Sequence, residues 1–149
     1  MSKELALSFR LANIKTEEFA IIEDVYVEDE EVRLGTFLDF GTDTEKQILG
    51  STVKFQFDQN KNPFLIISVT CAFEIEKEAW NTLIKEDNTH LTIPEGFASH
   101  MAVITVGTAR GVLHEKTKNT EFNDFIIPPI NLTGMISDDI EIDLENEEL

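Results

Sequence analysis

A single cysteine, Cys71, in 149 residues leaves no internal disulfide to form. The fold must therefore rest on burial and hydrogen bonding, which suits a reducing compartment. No apolar run is long enough to span a bilayer, and the opening MSKELALSFR lacks the apolar stretch of a signal peptide. The expected location is the cytoplasm, with no direct membrane insertion. Basic residues are scarce: 12 Lys and Arg face 29 Asp and Glu, for a net charge of -17. So acidic a chain repels nucleic acid and anionic membranes, and its field steers toward basic partners. The same charge also serves solubility.

Clusters that carry chemistry are missing too. His90, His100 and His114 share no metal-ligand spacing with one another or with Cys71. His100 and His114 read more simply as surface or packing residues on a helix. Asp58 opens a stretch, DQNKNP, that begins like a calcium loop, but Pro63 stands at the required glycine and Val69 at the bidentate glutamate. No glycine-rich loop could cradle a phosphate. Cys71 sits in an apolar run and reads as an inert small hydrophobe. Neighbouring carboxylates are uninformative in so acidic a chain, and the Asn131-Leu132-Thr133 sequon means nothing in a cytoplasmic one. The expectation is a protein that is not an enzyme and needs no metal or cofactor.

What is present suits one domain over residues 1–149. Apolar residues make up 42% of the chain, and eleven phenylalanines supply large core or binding surfaces. Residues 5–11, 31–40 and 51–57 alternate apolar and polar positions, as half-buried strands do. Val32, Leu34 and Leu38, then Val53, Phe55 and Phe57, fall on one face. The turn residues of DQNKNP fold the third strand back into FLIISVTCAFEI, which is apolar on both faces and so expected to be covered on two sides. Four strands with short links predict an antiparallel sheet. Between Phe19 and Glu31, FAIIEDVYVEDE sets apolar residues among acids, as a further strand or an irregular crossover. Residues 75–88 read as a short helix with Ala79, Trp80 and Leu83 inward.

From Pro94 to Lys118 the local signals conflict. MAVITV would pass for a buried strand, and Gly107 and Gly111 are poor helix residues. Length, Pro94 at the start and the cations of HEKTK at the end argue for a helix. Such a helix is apolar or small all round, with Phe97, Met101 and Ile104 on one side and Ala98, Ala102 and Ala109 on another. One sheet covers one side only, so a second subunit is the simplest partner for the other.

Ala109-Arg110, Phe122 and the IPPINL of residues 127–132 resemble the C-terminal signature of SecB, the bacterial protein-export chaperone family. The spacing from Arg110 through Pro128 and Pro129 to Asn131 fits without a gap. FRLANIKTEEFAI, residues 9–21, resembles the family's first strand. There are departures: Asn123 replaces a proline, Leu132 a phenylalanine and Gly111 an acid, and the segment from about Ile75 to Pro94 is longer. The resemblance implies an α+β fold: a four-stranded antiparallel sheet, a long helix and a short last helix, assembled as a dimer of dimers. The double proline, without backbone N–H groups, would turn the chain toward that last helix.

The resemblance also implies an ATP-independent holdase that binds unfolded or precursor polypeptides and supports export. Candidate client contacts are Phe19, Ile22, Tyr26, Ile140 and Leu144, apolar residues flanked by acids. Each reads equally well as ordinary core. Seven of the thirteen residues from Ser137 to Leu149 are acidic. Asp143, Glu145, Glu147 and Glu148 are the candidate contact with an export motor ATPase, whose docking segment is basic in the family. The tail reads alternatively as a short amphipathic helix. A relative dedicated to one client, such as an antitoxin, is an alternative within the family. A small-ligand binding protein or a structural subunit of an acidic complex is the alternative outside it.

Overall fold

The computed structural model describes residues 8–84 and 88–144. Strands β1 (Phe9–Ile21), β2 (Arg33–Asp43), β3 (Ile48–Gln59) and β4 (Asn62–Ile75) form one antiparallel sheet in the order β1-β4-β3-β2. The four expected strands are therefore present, in an α+β architecture. Asn60 and Lys61, with φ of 52° and 69°, make the two-residue left-handed turn that joins β3 to β4. DQNKNP, residues 58–63, is this hairpin.

β1 is longer than its alternation suggests. Register shifts between Leu11 and Asn13 and between Thr16 and Glu18 break the period of two. Phe9, Leu11, Ile14, Thr16, Phe19 and Ile21 thus share one side, paired with the odd-numbered residues of β4. Because β1 and β2 lie on opposite edges, residues 22–32 must cross the end of the sheet, a width of roughly 14 Å for three strand spacings. FAIIEDVYVEDE is thus the end of β1 followed by a crossover.

One side of the sheet carries Leu49, Val53, Phe55, Phe57, Leu65, Ile67, Val69, Cys71 and Phe73, all buried. Helix α2 (Glu95–Lys116) lies on this side against β3 and β4. Its buried residues, Ala98, Met101, Ala102, Thr105, Val106, Ala109 and Leu113, follow the helical period, so α2 buries one face. The buried hydroxyl of Thr105 donates to the Met101 carbonyl one turn back, which satisfies it without leaving the helix. On the sheet's other side Lys54 and Glu18, both paired with Ser68, join in an ion pair of 3.2 Å. Ser68, which both residues flank in register, is buried.

The short helix α1 (Lys77–Leu83) does bury Ala79, Trp80 and Leu83. It ends sooner than expected, and Ile84 bridges to Leu91. The chain just after α2 departs from the expected short last helix as far as Asp143, and residues 145–149 lie outside the described residues. Ile140–Asp143 form a strand, β6, antiparallel to β5 (His90–Ile93), with Ile93 opposite Ile140 and Leu91 opposite Ile142. The two apolar pairs share a face, so the segment alternates with a period of two and half-buries its isoleucines as a strand. Asp139 accepts the Glu95 N–H at 2.8 Å and so caps α2, whose Pro94 N-cap has no side-chain acceptor. No helix among the described residues is long and apolar enough to cross a membrane.

Candidate functional site

Five rings gather where the crossover meets the chain that follows α2. Phe57 is the last apolar residue of the inward row of β3, and Phe64 lies near the start of β4 just beyond the hairpin. Phe122 and Phe125 come from a single 3-10 turn, Glu121–Asp124 with its C-cap, whose spacing sends both rings the same way. Tyr26 comes from the crossover. Its ring centroid lies 4.9 Å from Phe64, 5.3 Å from Phe122 and 5.8 Å from Phe125. Phe125 in turn lies 5.2 Å from Phe64 and 5.6 Å from Phe57. Several of these pairs are edge-on or tilted, the arrangement that aligns ring edges with ring faces.

The floor of the cluster is closed and its top is open. Phe57, Phe64 and Phe122 are buried, whereas Tyr26 and Phe125 are half-buried. The same two segments carry exposed apolar residues: Ile22, Val27 at 49% exposure and Ile126 at 58%. Glu23, Asp24, Glu28, Asp29, Glu30 and Glu31 flank Tyr26 in the crossover, and Glu121 and Asp124 flank Phe122. An apolar surface of this kind, rimmed by carboxylates, attracts apolar side chains next to cationic ones.

Two clamps hold the walls. Arg110, half-buried on α2, donates from Nε to the Ile127 carbonyl at 2.7 Å and from Nη2 to the Pro128 carbonyl at 2.9 Å. Asn123 donates from Nδ2 to the His114 carbonyl at 2.8 Å and to Thr117 Oγ1 at 3.1 Å, satisfying the last turn of α2. The residue that departs from the resembled pattern thus ties the aromatic turn to the helix end. Pro128 and Pro129 are exposed, and Asn131 begins the short turn Leu132–Gly134.

A strip leads away from the rings. Leu34, Thr36, Leu38 and Phe40 of β2 are half-buried on the helix-facing side, and Leu34 pairs with Phe57. At the far end Leu38, Phe40, Met135, Ile136, Ile140 and Ile142 line an open cavity of about 330 Å³. Leu34 to Phe40 is about 20 Å of extended strand.

The candidate client residues are divided by this geometry. Ile22 and Tyr26 lie at the aromatic end, and Ile140 lines the cavity. Phe19 is elsewhere, half-buried on β1 with Lys116 Nζ 5.5 Å from its ring centroid. Leu144 is half-buried and its N–H bonds the Thr89 carbonyl. Phe125, Val27, Ile126, Leu38, Phe40 and Met135 were missed. The spacing Phe122 to Phe125 within an acidic turn was the signal for the first.

Among the candidate interface residues, Met101, Ala102 and Ala109 are fully buried within the chain itself and have no surface to offer a partner. Phe97 and Ile104 are half-buried, with the Phe97 ring 5.0 Å from Phe9. The open flank of α2 is instead Val103, at 58% exposure, with Gly107 and Gly111, where an added Cβ would meet nothing. Phe9 packs on both Phe97 and His100, so the β1 row that continues into exposed Leu11 and Ile14 runs beside this flank. Asp143 is exposed at the end of β6, whereas Glu145, Glu147 and Glu148 lie outside the described residues. Set against known proteins, the chain matches no protein-family model and no curated protein.

Proposed function

We propose that the protein is a SecB-like holdase that binds unfolded polypeptides without nucleotide and keeps them from aggregating. The observation that carries this reading is the half-open aromatic cluster of Tyr26 and Phe125, set among exposed Ile22, Val27 and Ile126 and rimmed by acids. Such a surface holds apolar side chains of any sequence by area and ring contact, while its carboxylates prefer clients with basic residues and repel copies of itself. The strip from Leu34 to the Met135 cavity gives an extended client about six residues of further track.

Assembly belongs to the same proposal. Exposed Leu11 and Ile14 of the edge strand β1, with exposed Val103 of α2, offer the apolar ledge that a second copy would cover, and a dimer of dimers is the expected product. Support of export through a motor ATPase is the wider role, with Asp143 and the acidic tail as the contact. The test is aggregation of a slow-folding enzyme diluted from denaturant, with the protein added at near-stoichiometric ratio and no ATP. Suppression with several unrelated enzymes supports the holdase. Suppression with none overturns it.

The cavity bounded by Leu38, Met135 and Ile140 favours a second reading, a small-ligand protein, since its volume is at the low end for such sites. A stoichiometric apolar molecule released from purified protein on denaturation would decide for it.

A further inference from the structure

We propose that Gln59 is the positioning residue of the aromatic surface: its carboxamide takes the place of a strand partner and fixes the crossover at Val27. The inference rests on the holdase reading for its functional half, though not for its structural half. Gln59 is the last residue of β3, on the inward side with Phe57, and is 3% exposed. Its Oε1 accepts the Val27 N–H at 2.8 Å, its Nε2 donates to the Val27 carbonyl at 2.8 Å, and the same Nε2 reaches the Glu30 carbonyl at 3.4 Å. One acceptor and one donor matched to the N–H and C=O of one residue reproduce the two-bond exchange of an antiparallel pair.

The crossover depends on this tie. Its N-terminal part is anchored by the Ile22 N–H on the Phe64 carbonyl, and Val25 and Tyr26 close local turns onto Ile22 and Glu23. Beyond Tyr26 the hydrogen bonds to the sheet come from Gln59 and from the neighbouring Asn60, which donates to the Glu30 carboxylate at 3.1 Å, beside an exposed ion pair of Glu31 with Arg33 at 3.4 Å. Six carboxylates in the segment repel one another and favour its release into water. Tyr26 precedes Val27 directly, so holding Val27 holds the ring against Phe64, Phe122 and Phe125. Gln59 itself is too buried to touch a client. No other side chain of that length offers a neutral donor and acceptor together: Met keeps the volume and loses all three bonds, and Glu keeps the acceptor while opposing two carbonyls with a carboxylate.

The test compares wild type with Gln59→Met and Gln59→Glu. It reads residue-resolved amide exchange and affinity for a reduced, carboxymethylated polypeptide labelled with a fluorophore. In Gln59→Met the protection of the Val27 amide should fall about tenfold by local opening, while Val53 and Val69 keep theirs. Client affinity should fall about fivefold, because the binding arrangement is then only fractionally populated. Gln59→Glu should lose affinity too but retain part of the Val27 protection, and it is the variant read if Gln59→Met does not fold. Unchanged Val27 protection overturns the clamp. Protection lost equally at Val53 and Val69 reduces Gln59 to a general stabiliser, and lost Val27 protection with unchanged affinity overturns its link to binding. If wild type itself binds no client, the holdase reading falls, and Val27 exchange alone decides whether Gln59 holds the segment.

Discussion

Arg110 and Ile127, seventeen residues apart, are joined by a 2.7 Å hydrogen bond from the guanidinium Nε to the backbone carbonyl. A second bond, from Nη2 to the Pro128 carbonyl at 2.9 Å, makes the contact a two-point clamp. Proline can offer a carbonyl but no N–H, so an acceptor-seeking cation is the side chain that can hold a Pro-Pro segment from one side. Arg110→Ala should lower stability by about 2 kcal/mol, the order of a hydrogen bond to a charged group, in urea unfolding. Arg110→Lys should restore less than half of that, because a point charge cannot reproduce the fork. Equal stability of the lysine variant and wild type would show that charge alone suffices.

Asn123 closes the end of α2 with two side-chain bonds. Asn123→Ala should cost about 1 kcal/mol and leave the sheet intact, read as a drop in the urea midpoint with an unchanged slope. A neutral effect would mean that water replaces the amide without loss.

Much of this architecture can be read from residue order, and the limits have physical causes. Val53, Phe55 and Phe57 alternate cleanly because β3 is an inner strand covered on one side, so periodicity places them correctly. β1 escapes the same rule beyond Leu11 because two register shifts move its inward residues off the period of two. α2 is ambiguous locally: Val103, Ile104, Thr105 and Val106 have strand-like side chains, and only tertiary packing of every third or fourth residue makes them helical. Ile140 and Ile142 carry a strand's alternation, yet their partners Ile93 and Leu91 lie about fifty residues earlier, so the pairing is invisible to any local window. The aromatic cluster has the same origin. Tyr26, Phe57, Phe64, Phe122 and Phe125 meet only after the hairpin and the crossover are built, and Gln59 gives no sign in sequence of being more than a turn residue.

Assembly is tested best at residues that the protomer leaves uncovered. Ile14→Asp and Val103→Arg should keep native circular dichroism but shift sedimentation from a species of four times the 16.9 kDa chain to smaller ones. Met101→Lys should instead abolish the fold, since its site is fully buried within the protomer and an unpaired charge there costs several kcal/mol. A monomeric wild type at micromolar concentration would contradict the ledge as an interface.

The acidic crossover makes an electrostatic prediction. Association of a lysine-rich unfolded peptide should slow as salt rises from about 0.01 to 0.15 M, where the screening length falls from about 30 to 8 Å. An uncharged aromatic peptide should be nearly indifferent. If both respond alike, the carboxylates beside Tyr26 take no part in capture.

The central claim is that the half-open rings of Tyr26 and Phe125 hold the client. Its most direct measurement is the affinity of a labelled, permanently unfolded polypeptide for wild type and for Phe125→Ser combined with Ile126→Asp, at a temperature where both are folded. The account predicts nucleotide-independent binding by wild type and a loss of about tenfold or more in the double variant, as expected when an aromatic anchor is removed. Equal affinity of the two proteins would contradict it.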